Sequence, residues 1–198
     1  MKISSQNILK VYKQATPQEI LDGMSWYERA HDSAVELSNK HGMPLDAVAG
    51  VIAALSPQTS WERNLFDADR LLAAFVRSAK SASQTKISSY KSNRRKAVRI
   101  MKAKSGENGF SLTTGPKTWN FYRNILNPTN NEFCTIDRFA YGVASGRTLR
   151  TIDDIDLTAK RYRDTVKAYQ DAARSVGILP HQMQAVCWVA IHRINREK

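Results

Sequence analysis

The sequence predicts an all-α fold, and three observations carry that expectation. Apolar residues recur at helical spacing in segment after segment of the 198-residue chain. Capping and stop residues bracket those segments. There are no paired runs of alternating apolar residues, no tandem repeat and no low-complexity tract.

The helices follow in order. In "ATPQEILDGM" Thr16 caps and Pro17 takes the first helical position, where its missing N–H is no loss. "SWYERAHDSAVELSNKHG" opens with Ser25 and Glu28 at capping-box spacing and stops at Gly42. "PLDAVAGVIAAL", residues 44–55, is apolar nearly all round and reads as a buried central helix. "TSWERNLFDADRLLAAFVRS" starts with Thr59 and Glu62 as a second capping box, and Leu65, Ala68, Leu72 and Phe75 mark its apolar face. "SASQTKISS" reads as a polar loop, "NRRKAVRIMKAK" as a basic amphipathic helix, and a short helix or turn lies near 107–111. "PKTWNFYRNIL" is helical and ends before the turn cluster "NPTNNE". The next helix starts at Asp137 and runs to about Gly146. "TAKRYRDTVKAYQDAARSVG" places Tyr162, Val166, Tyr169, Ala173 and Val176 on one face, and "PHQMQAVCWVAIHRI" is the last helix.

Composition narrows the function. Apolar residues make up 42% and charged residues 24%, a globular balance. No apolar run approaches the roughly 20 residues of a membrane span, and "MKISSQNILKVYKQ" lacks the apolar core of a signal peptide. Cys134 and Cys187 are too few for a disulfide frame or a four-thiolate metal site, so a reducing, cytoplasmic setting is the simplest expectation. His31, His41, His181 and His192 show no metal-ligand spacing. Net charge is +12, and residues 71–106 carry ten basic and no acidic side chains. So local an excess points to a polyanion, most often nucleic acid. A merely soluble basic surface has the same composition.

"LTTGPKTW", residues 112–119, concentrates the candidate chemistry. A turn of small residues opening a helix can aim backbone N–H groups at a phosphate. Gly115 and the hydroxyls of Thr113, Thr114 and Thr118 suit such a contact. An ordinary helix–helix turn fits the same residues. Lys117 falls in the first helical turn, where the dipole disfavours a cation. With partial burial its amine would lose basicity and become a nucleophile able to form a Schiff base at a sugar C1′. Asp137, twenty residues on, could stabilise positive charge on that sugar. A phosphate contact for Lys117 and a helix cap for Asp137 are the plainer readings.

Four blocks, in order over about residues 44–147, resemble the helix-hairpin-helix DNA glycosylases of the endonuclease III type, in the HhH-GPD superfamily. "AVAGVIAALSPQTSWERNLFDADRLL" is similar to the family's buried helix, Ser/Gln loop and following helix. "SSYKSNRRKAVRIM" is similar to its aromatic residue and lysine-alanine helix start. "LTTGPKTW" is similar to its hairpin, and "FCTIDRFAYGVASGR" to its aspartate segment. Departures are plain: one glycine before the lysine instead of two, Arg138-Phe139 after the aspartate, and no cluster cysteines.

The resemblance implies a two-lobed helical fold, with one lobe over 44–136 and the other joining 1–43 to 137–198. A nucleotide of double-stranded DNA would be rotated into the cleft between them. Lys117 and Asp137 would be catalytic, and Gln58 would fill the gap left in the duplex. Lys91, Arg94 and Lys96 would join the hairpin residues on DNA. No cofactor and no iron–sulfur cluster are implied, while a hairpin-bound monovalent cation is compatible. The expected partner is double-stranded DNA, with no membrane; protein partners are left open, and the expected state is a monomer. The implied activity is a DNA N-glycosylase with AP-lyase chemistry through a Schiff base. Two alternatives share the fold: a phage-type enzyme that hypermodifies bases in DNA, and a non-catalytic DNA-binding module. Trp61, Trp119 and Trp188 could stack on a base, but packing explains each as well.

Overall fold

Residues 2–110, 115–147 and 157–196 are described by the computed structural model, and among them there are twelve helices and no strand. These are α1 (Ser5–Tyr12), α2 (Pro17–Met24), α3 (Trp26–His41), α4 (Leu45–Leu55), α5 (Trp61–Arg77) and α6 (Ala79–Gln84). They continue with α7 (Lys91–Ala103), α8 (Gly106–Gly109), α9 (Pro116–Leu126), α10 (Arg138–Ser145), α11 (Ala159–Val176) and α12 (Pro180–Arg196). No helix of the described residues is long and apolar enough to cross a membrane.

Local chemistry sets most of the helix ends. Thr16 and Glu19 form a full capping box on α2, with Pro17 in its first turn. Gly146 and Gly177 end α10 and α11 in the left-handed region, at φ 69° and 74°. Elsewhere the structure departs from the sequence reading. α5 is capped by Ser60, whose hydroxyl accepts from Arg63 N, while the Thr59 hydroxyl donates to Leu55 O at 2.8 Å. The polar stretch after α5 contains α6, because Ser78 ends one helix in an extended conformation and caps the next. α1 is a helix the sequence reading did not foresee, and Ser4 caps it.

The chain forms two compact units, residues 29–127 and residues 1–28 with 128–198. The lobe boundaries implied by the resemblance fall instead at 44 and 136.

In unit 29–127, α4 is the axle, with every residue from Ala47 to Leu55 buried. A Cβ on Gly50 would come within 2.8 Å of Gly106 Cα, so the glycine pair lets α8 lie directly on α4. Asp46, in the first turn of α4, then ties the next elements down. Its carboxylate accepts from Ser105 Oγ at 2.7 Å, Gly106 N at 3.0 Å and the Tyr122 hydroxyl of α9. Burial, and then that bond to Asp46, push the Tyr122 hydroxyl far up from its ordinary pKa, so it remains a donor. Phe110, Trp119 and Tyr122 pack their rings together, with centroids 5.4–6.1 Å apart, which makes Trp119 a packing residue. On α5 the buried face is Asn64, Asp67, Ala68, Leu71, Leu72 and Ala74, rotated from the expected one; Leu65 and Phe75 are half-buried.

In the other unit, Ile8, Ile136, Tyr169, Met183 and Cys187 lie in one core with Cys134. Both cysteines are free, and burial pushes their thiols up. Two tyrosines of α11 hold the approach to α10. The Tyr162 hydroxyl donates to Cys134 O at 3.1 Å and accepts from Ile136 N at 3.3 Å. The Tyr169 hydroxyl donates to Ala140 O at 3.2 Å. Val176, expected on the buried face of α11, is 39% exposed, and Thr165 is buried there instead.

Candidate nucleic-acid interface

Unit 29–127 carries the hairpin lysine. Pro116 takes the first position of α9, and Gly115 is the N-cap, so no capping side chain covers the first-turn amides. Gly115 has φ −62° and ψ 150°, and a Cβ built on it would meet no atom within 4 Å. Lys117 is exposed and has no hydrogen bond or ion pair among the described residues. The partial burial expected of it is therefore not found. Thr118 is half-buried. Thr113 and Thr114 lie outside the described residues, and with them the turn that would hold a cation.

Gln58 and Tyr90 come together in the same unit. Gln58 has φ 60°, one of two non-glycine residues with positive φ among those described. Such a conformation is strained and needs support from its surroundings. The exposed Tyr90 hydroxyl donates to Oε1 of Gln58, which is itself exposed. Tyr90 is also the N-cap of α7, so Lys91, exposed in the first turn, stands beside it. Lys96 is half-buried. Arg94 turns to its own chain, donating to Thr85 O at 2.8 Å, and so braces the loop before α7. The sequence held no signal for the Gln58–Tyr90 pairing, since 32 residues separate them.

Asp137 belongs to the other unit. It is the N-cap of α10, and its Oδ1 accepts from Ala140 N at 2.8 Å. Its second oxygen has no hydrogen bond among the described residues. Arg138 follows, exposed, with its guanidinium 5.0 Å from the Phe139 ring centroid. Phe139 packs on His192, and His192 on Trp188, which is 40% exposed. Among the described residues no group of three or more His, Cys, Asp and Glu side chains could hold a metal ion.

Fold and site together define an all-helical, strongly basic chain. It belongs to a family of unknown function (DUF7178), whose model matches residues 1–195. No curated protein and no solved structure matches it.

Proposed function

We propose that the chain is a DNA N-glycosylase of the HhH-GPD type, excising a damaged or modified base from double-stranded DNA. The observation that carries this reading is the setting of Lys117. It is an exposed cation without an acidic partner among the described residues, in a helical turn whose dipole opposes it. The uncapped amides beside it suit a phosphate, and phosphate would offset that opposition.

In this reading the Lys117 ammonium first gives its proton to solvent, and the free amine forms a bond to C1′ as the C1′–N glycosidic bond breaks. The base leaves with the bonding electrons and takes up a proton. Opening of the sugar ring yields a Schiff base on Nζ. Loss of a C2′ proton then expels the 3′ phosphate, and water releases the lysine. Asp137 keeps one carboxylate oxygen clear of its cap bond among the described residues, and the resemblance assigns that carboxylate to positive charge on the sugar. Gln58, braced by Tyr90, fills the space of the rotated nucleotide.

Borohydride trapping on duplexes carrying different damaged and modified bases tests this. A covalent adduct with the native chain, absent with Lys117→Ala, is expected. No adduct and no released base from any duplex would overturn the proposal. An altered nucleoside still in the strand would assign the chain to base modification instead.

Two observations favour a second reading, a non-catalytic DNA-binding module: Lys117 is exposed, and Asp137 already caps a helix. That reading expects salt-sensitive binding that survives Lys117→Ala and Asp137→Ala, with no product formed.

A further inference from the structure

We infer that the outer face of α5 is a second contact for the DNA phosphate backbone, made by Arg63, Arg70 and Arg77 around Phe66. This rests on the DNA partner proposed above, but not on glycosylase chemistry.

The four residues fall within a ~60° arc of the helix at 3.6 residues per turn. All are exposed, Phe66 by 51%. The guanidinium carbons of Arg63 and Arg70 lie 5.0 and 5.5 Å from the Phe66 ring centroid. Two like charges held against one ring oppose each other, and an anion between them removes that opposition. The ring acts here as a support that fixes two planar forks, the arrangement suited to bidentate phosphate contacts.

Some surface cations of the chain do sit beside acids: Lys40 with Asp69, Lys160 with Asp164, Arg174 with Asp171. Arg70 and Arg77 have no ion pair among the described residues. Arg63 reaches only the buried Asp67, at 3.4 Å, and Asp67 also accepts from Ser88 N. Of the other acids on α5, Asp69 is held by Lys40 and His41, and Glu62 stands in the first turn, where the helix dipole favours an acid.

The spacing selects the partner. Arg63, Arg70 and Arg77 recur every seventh residue, roughly 10.5 Å apart over about 21 Å. Duplex DNA offers a negative charge every ~1.7 Å of its axis, so a regular cationic row always finds phosphates opposite it. The row also runs on into residues 71–106, which hold no acidic side chain.

Fluorescence anisotropy with an unmodified duplex of two helical turns tests this, using Lys117→Ala/Asp137→Ala protein so that no chemistry intervenes. Adding Arg70→Ala/Arg77→Ala should lower the slope of log K against log salt by about 2 and weaken binding roughly tenfold or more near 0.1 M salt. Arg70→Lys/Arg77→Lys should keep the slope, which separates charge from folding. An unchanged slope in the alanine variant, with DNA still bound, overturns this inference alone. Equal competition by a polyglutamate chain also overturns it, in favour of an acidic protein partner. If the slope falls but no base is ever released, this inference stands and the glycosylase falls. Failure of the parent protein to bind any DNA overturns both.

Discussion

At Gly115 the chain has a glycine that nothing among the described residues requires. The backbone there is extended, and a methyl group would meet nothing within 4 Å among the described residues. Gly146 and Gly177 differ, because their positive φ excludes most side chains. In the DNA-binding reading, a Cβ at 115 would stand where phosphate approaches the uncapped first-turn amides of α9. Gly115→Ala should therefore leave stability within about 1 kcal/mol of the parent, the range of an N-cap change. It should also weaken duplex binding several-fold, read by anisotropy alongside thermal melting. Unchanged affinity would remove the hairpin from the DNA contact. Residues of this kind were unevenly legible. Asp137 as a helix start could be read because capping is decided within four residues. The Tyr90 brace on Gln58 could not, since 32 residues separate the two.

Short helices were the least legible elements. α1 and α6 were not foreseen, and α8 was read only as a short helix or turn near 107–111; with eight, six and four residues they are too short to be stable by propensity, so their existence depends on what they pack against. α8 shows the dependence most sharply. A Cβ on Gly106 would come within 2.5 Å of Tyr122 Cε2 and 2.9 Å of Asp46 O. Neither a buried ring nor a main-chain oxygen can readily yield. Gly106→Ala should destabilise unit 29–127 by about 1–3 kcal/mol, as overpacking does, read by denaturant unfolding. It should also disturb α9, because Asp46 grips α8 and α9 with one carboxylate. An unchanged midpoint would mean α8 can move away freely. The face of α5 was misjudged for a related reason. Asn64 and Asp67 are buried because they bond Ile52 O and Ser88 N, and a count of apolar spacing ignores such polar anchors.

For the whole molecule, His181 predicts how stability follows pH. It is buried against the Tyr27 ring, and burial lowers its pKa from 6.5 to about 4, while backbone bonds to Pro128 and Asn130 work the other way. The unfolded chain therefore takes up this proton first as pH falls. The stabilisation is complete above pH 6.5 and is lost between there and pH 4, by roughly 3 kcal/mol. Unfolding free energies across that window should fall more steeply for the native chain than for His181→Gln. Parallel curves would show that the imidazole titrates normally. The all-helical class was legible at this scale because caps and spacing recur along the whole chain. The division at residues 28 and 127 was not, because it follows which helices share a core.

That division also orders events on the ribosome. Unit 29–127 is one unbroken stretch, complete in its own residues before the last third of the chain is made. The other unit needs both ends. Glu19 bonds Arg193, 174 residues later, and at about 5–20 residues per second the interval is on the order of ten to thirty seconds. Throughout that time α1 and α2 have no core to join, and closing so long a loop is entropically unfavourable. The first helices translated are therefore among the last to fold.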